Sequence, residues 1–141
     1  MATRTANAEW RGDLKAGKGT VKLGSGAFEG AYSFQSRFEE GTGTNPEELL
    51  GASHAGCFSM ALAAGLTTAG HPPTSVKTTA KVHLGKGEAG FEITLIELDT
   101  VAEVPGIDAE AFAQQAESAK AGCPISKALK ATKITLNAKL A

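Results

Sequence analysis

The chain has 141 residues, 42% of them hydrophobic and 21% charged, with a formal net charge of −1. That length suits one domain with a core of its own, and no shift in composition marks a boundary. Acids and bases are interspersed, so no basic stripe is on offer to nucleic acid, and Met1-Ala2-Thr3-Arg4-Thr5-Ala6-Asn7 lacks the apolar run of a secretory signal.

The first third reads as β structure, with strands expected over 6–11, 19–23 and 31–36 between Gly-rich turns such as Lys15-Ala16-Gly17-Lys18-Gly19. Asn45-Pro46-Glu47-Glu48 then starts a helix: Asn45 caps it, Pro46 fits its first position, and both acids suit the positive end of its dipole. The helix is predicted to run to about Thr68 and to stop before Gly70-His71-Pro72-Pro73. From Leu49 to Val76 there is no Asp, Glu, Lys or Arg, a stretch long enough to span a bilayer. Ser53, His54, Ser59, Thr67 and Thr68 interrupt it, and a helix buried on all sides of a soluble protein is the simpler expectation, with no membrane partner.

That helix has little girth, because Gly51, Ala52, Ser53, Ala55, Gly56, Ala61, Ala63, Ala64 and Gly65 are all small. Each glycine costs a helix about 1 kcal/mol relative to alanine. Close approach of another element would offset the cost, whether a surrounding sheet or a second copy of the same helix, and the latter hints at a homodimer. Two long strands follow. Val76, Thr78, Ala80, Val82 and Leu84 alternate with Lys77, Thr79, Lys81 and His83, and Phe91, Ile93 and Leu95 lead on to Val101 after a turn at Gly85-Lys86-Gly87-Glu88. Asp108 is placed to cap a helix through Ala121, a short helix is expected over 124–130, and a last strand over 133–140. The order of elements predicts an α+β fold with antiparallel pairing.

Two cysteines stand far apart, and neither belongs to a Cys-x-x-Cys pair that would suggest a metal knuckle or a thioredoxin-type motif. In a chain kept in the cytosol, a cysteine pair suits catalysis or redox chemistry better than a structural bridge. Cys57 reads either as a small core side chain or as an attacking thiol. The second reading needs a cation, since burial raises a thiol pKa and only the thiolate attacks. His54, three residues back, and Arg37 are the candidates, and arginine is always charged and forks to two acceptors. Cys123 precedes Pro124 at a helix start, where the helix end favours a thiolate and a resolving thiol would be reachable; it equally reads as a substitute for a capping serine. Cys57, Cys123, His54, His71 and His83 show no metal-ligand spacing beyond His54-x-x-Cys57, short of a four-ligand zinc site.

The segments Arg37-Phe38-Glu39, Gly43-Thr44-Asn45-Pro46-Glu47-Glu48-Leu49-Leu50-Gly51-Ala52-Ser53-His54-Ala55-Gly56-Cys57-Phe58-Ser59-Met60, Val104-Pro105-Gly106-Ile107-Asp108 and Lys120-Ala121-Gly122-Cys123-Pro124-Ile125-Ser126 together resemble the OsmC/Ohr family of thiol peroxidases. Arg37, twenty residues before Cys57, is similar to the OsmC branch. The resemblance implies a single OsmC-like domain over 1–141, in an intertwined homodimer whose antiparallel sheets wrap around central buried helices, with active sites at the interface. It implies a peroxidatic Cys57, a resolving Cys123, and Arg37 and Glu47 to hold and activate the thiolate. The expected activity is reduction of organic hydroperoxides in the cytoplasm, with no metal or flavin cofactor and with an external dithiol, of lipoyl type for example, as reductant. Phe38, Phe58 and Met60 are candidates for an apolar substrate wall, core packing being the plainer job for each.

Glu47 and Cys57 lie ten residues apart, about 15 Å along a straight helix, too far to touch. Either the helix breaks near Gly51, or a partner subunit completes the site. Two rival functions use the same residues less fully: a redox sensor that reacts stoichiometrically, and a ligand-binding domain with two inert cysteines.

Overall fold

Strand candidates in the first third form with shifted limits. In the computed structural model, which describes residues 1–141, β1 (Ala6–Arg11), β2 (Lys18–Leu23) and β3 (Glu29–Tyr32) make an antiparallel three-stranded sheet in that order. The third strand ends earlier than 36 because Ser33 turns the chain into a short helix, α1 (Phe34–Phe38). The Ser33 side chain accepts from the Ser36 N–H at 3.1 Å, and the Ser36 hydroxyl accepts from the Ser33 N–H at 2.8 Å. This is a capping box with serine in the place of the usual Glu or Gln, and its local bonds outcompete a ladder. Residues 1–49 form one compact unit and 50–141 a second.

Helix α2 (Pro46–Thr68) starts where expected, with Asn45 Oδ1 accepting from the Glu48 N–H at 2.7 Å. Beyond it, β4 (Ser75–Gly87) and β5 (Gly90–Glu103) pair antiparallel through a two-residue turn, Glu88-Ala89, just past the expected position. Gly90 enters β5 at φ 119°, a conformation that favours glycine. Asp108 Oδ1 accepts from the Ala111 N–H at 2.8 Å and starts α3 (Ala109–Gly122); α4 (Pro124–Ala128) follows, two residues shorter than expected. The last strand, β6 (Lys133–Leu140), lies parallel to β5, from Leu95 opposite Lys133 to Ala102 opposite Leu140. Here the structure departs from all-antiparallel pairing. With α3 and α4 between them, β5 and β6 are joined by a crossover, which brings a strand back in the same direction.

The core of the second unit lies on one face of this sheet. Ile96, Leu98 and Ala102 alternate along β5, the central strand, and meet Phe58, Leu62 and Leu66 of α2 and Phe112, Ala116 and Ala119 of α3. Buried positions of α2 within this unit recur about once per turn, at Gly51, His54, Phe58, Leu62 and Leu66. Its other side, Ala52, Gly56, Met60 and Ala64, is exposed, with Met60 at 76%. The helix is therefore buried on one side within this unit, not on all sides, and it is apolar on both. By length and composition alone it could cross a membrane.

Candidate active site

The first unit builds an ion pair. Helix α1 is laced to the start of α2: the Ser36 hydroxyl donates to the Thr44 carbonyl at 2.6 Å, and Asn45 Nδ2 donates to the Ser36 carbonyl at 3.0 Å. These bonds fix Arg37 opposite Glu47. Arg37 Nη2 donates to Glu47 Oε1 at 2.7 Å, and its Nε lies 3.2 Å from both carboxylate oxygens. The Glu47 side chain is 11% exposed and that of Arg37 36%, so the carboxylate is anchored while the guanidinium keeps an open side. The Phe38 ring lies against the guanidinium, 5.2 Å from Cζ to the ring centroid.

The second unit builds a thiol pair. Cys57 Sγ and Cys123 Sγ are 2.8 Å apart, one thiol donating to the other, although 66 residues separate them in sequence. Both are free thiols. Cys123 sits where α3 ends and α4 begins, as expected from Pro124, but it is fully buried; Cys57, the one expected in a crowded interior, is half-buried. Burial raises the Cys57 thiol above its ordinary range, the neighbouring Cys123 adds to this, and the Ile125 backbone opposes it. Burial also pushes Cys123 up, but the Cys57 thiol, the Ser126 N–H and hydroxyl and the Ile125 backbone outweigh it and hold Cys123 below its ordinary range. Within this cluster Cys57 has no cation.

His54 does not serve Cys57. Its Nε2 lies 2.8 Å from Ser126 Oγ, and its ring is completely buried. Ser126 is not singled out by the sequence alone, because its importance rests on a partner 72 residues away. A serine three positions into a helix that opens on Cys-Pro is the signal that was available. Of the other candidates, His83 pairs with Glu97 across the β4–β5 ladder at 2.6 Å. Phe58 is closed inside the core, and Met60 stands on the bare face of α2.

Residues 39–138 match the family model described as OsmC-like protein. The chain belongs to the OsmC-like family. Among OsmC relatives, the protein named Peroxiredoxin OsmC from Escherichia coli strain K12 is 54% identical over 138 residues, covering 97% of this chain and 96% of that protein. The protein of the same name from Shigella flexneri matches equally well. Among solved structures, the organic hydroperoxide resistance protein OhrB of Bacillus subtilis superposes with a TM-score of 0.69 at 26% identity, covering 97% of this chain and 98% of that one. An organic hydroperoxide resistance protein from Elizabethkingia anophelis gives 0.74 at 27% identity, with 99% of each chain covered. The α+β architecture, with α2 as its long central helix, is thus the OsmC fold.

Proposed function

We propose that this chain is a cysteine-based peroxidase that reduces organic hydroperoxides to alcohols, with Cys57 as the attacking and Cys123 as the resolving thiol. The observation that carries the reading is the 2.8 Å approach of two free thiols from distant parts of an OsmC-family sequence. The Cys57 thiolate attacks the terminal peroxide oxygen, the O–O bond breaks, and the alkoxide leaves and takes a proton to become the alcohol. Cys57 is then a sulfenic acid. The Cys123 thiolate attacks that sulfur, hydroxide departs as water after protonation, and a disulfide closes. An external dithiol reduces it through a mixed disulfide. A reducing cytoplasm supplies such dithiols, a lipoyl-type carrier being one candidate.

Cys57 needs a cation to become a thiolate, and the Arg37–Glu47 pair is the one we assign to it. Helix α2 is unbroken from Pro46 to Thr68, so no break near Gly51 shortens the rise of about 15 Å between Glu47 and Cys57. We therefore assign the completing pair to a second copy of the chain in a homodimer, in which residues 1–141 act as one OsmC-like domain. The bare, small-residue face of α2 supports this: beyond the helix's own adjoining backbone, a Cβ built on Gly56 meets nothing within 4 Å. Bound in this way, Arg37 would stabilise the thiolate and the charge developing on the leaving oxygen.

Peroxide loss with excess dithiothreitol or dihydrolipoamide tests the reading, with cumene hydroperoxide compared against hydrogen peroxide. Many turnovers on the organic substrate, abolished in Cys57→Ser, are expected. Consumption of a single equivalent would instead identify a sensor, and equal loss in the variant would identify a protein with inert thiols.

A further inference from the structure

One buried titratable group has no part in the mechanism above. His54 is completely closed from solvent, its Nδ1 has no hydrogen-bond partner, and its Nε2 contacts Ser126 Oγ at 2.8 Å. Ser126 and Cys123 are buried as well, so no bulk water competes for these groups. The contact constrains the tautomer. With the proton on Nδ1, a bare N–H donor would be buried with nothing to accept it, which folded proteins tolerate least. With the proton on Nε2, the orphan is an acceptor, and the ring donates to Ser126 Oγ. Ser126 then accepts from the ring and has its own O–H to give, and it sits in the first turn of α4, the helix that Cys123 caps.

Building on the proposed role of Cys123, we infer that His54 is a positioning residue for the resolving step: its ring holds the Ser126 hydroxyl turned toward Cys123 Sγ. Of the titratable side chains near that sulfur, Cys57 contacts it directly and His54 bonds Ser126 in the turn that Cys123 caps, and α2 carries both. The step they serve balances simply. The Cys57 sulfenic acid, the Cys123 thiolate and one proton give the disulfide and water, with no outside oxidant or reductant. A hydroxyl that donates to sulfur stabilises the thiolate before attack. It does the same for the departing thiolate when the external dithiol later attacks the Cys57 side of the disulfide. His54 touches neither peroxide nor sulfur, and it acts only through Ser126.

Two readouts separate this role from a merely structural one. In a Cys57→Ser background Cys123 is the remaining thiol, and its thiolate absorbance titrates it without any need for peroxidase activity. Adding Ser126→Ala or His54→Phe should move that titration up by about one pH unit, the scale of one hydrogen bond to a charged group. His54→Gln, whose amide N–H can reach Ser126, should restore most of it. In chains with both cysteines, rapid-mixing capture of the sulfenic acid by dimedone should show its formation within twofold of wild type, and disulfide closure about tenfold slower, for Ser126→Ala and His54→Phe. Ser126→Ala leaves the histidine in place, so it gives the answer even where His54→Phe folds poorly. An unchanged Cys123 titration in both variants, or equal slowing of both chemical steps, overturns the inference. Absence of any peroxide reaction in wild type would overturn the peroxidase reading instead, while the titration still reports on His54.

Discussion

At the scale of single residues, the proposed site divides its labour between a fixed cation and a pair of thiols. Arg37 grips both oxygens of Glu47, a geometry that lysine's single ammonium does not reproduce. Arg37→Met is expected to lower kcat/KM for cumene hydroperoxide by about 10²–10³-fold, with Arg37→Lys recovering only part, as steady-state kinetics would show. His54 makes a second prediction, about stability and pH. Burial lowers its pKa from the ordinary 6.5, so the unfolded chain takes up a proton at a pH where the folded chain does not. The contribution is complete above 6.5 and is lost as pH falls toward the lowered folded value. Thermal melts between about pH 8 and about pH 5 should show the melting temperature dropping below that point, with a flatter profile for His54→Gln. A steeper drop in the variant would rule this out. The Arg37–Glu47 pair and the Cys57–Cys123 approach fall on residues that the sequence motifs single out, because each stands in a motif of contiguous residues. Ser126 was not singled out, since its contact with His54 joins α2 to α4 and leaves no local trace.

Helices and strands were legible to the extent that their causes are local. Asn45 and Asp108 announce α2 and α3 through caps within three residues, and α2 ends at Thr68 as read. The alternation along β4 and β5 fixes both strands. The start of α1 was missed because Ser33 and Ser36 form a capping box without its usual acid, and the parallel seat of β6 because pairing partners are set by the crossover rather than by pattern. Two glycines of α2 show what lies beyond one chain. A Cβ at Gly51 would meet Val82 Cγ2 at 3.4 Å, an ordinary contact with the sheet, whereas one at Gly56 meets nothing. In a solitary chain Gly56→Ala would stabilise the helix by about 1 kcal/mol. In the dimer proposed here it should instead weaken association, measured as a raised dissociation constant in sedimentation equilibrium, and Gly56→Leu should abolish it. By contrast Phe58→Ala, which empties a fully buried core site, should cost about 3–5 kcal/mol in chemical denaturation.

Across the molecule, each compact unit carries half of the proposed chemistry: Arg37 and Glu47 lie in residues 1–49, Cys57 and Cys123 in 50–141. If a second copy supplies the missing half, two inactive variants should rescue each other. Co-expressed Arg37→Met and Cys57→Ser chains would form heterodimers holding one intact site, and random pairing would return about a quarter of the wild-type activity per subunit. Sites completed within one chain would give no recovery, since every site would then lack a residue. Burial at the thiol pair carries a further meaning for the life of the enzyme. Cys123 is sealed from solvent and Cys57 is the half-open sulfur, so in the proposed cycle oxidant and reductant would enter by the same door. Damage from excess peroxide should then accumulate as sulfinic and sulfonic acid on Cys57 alone, while its hidden neighbour ages unmarked.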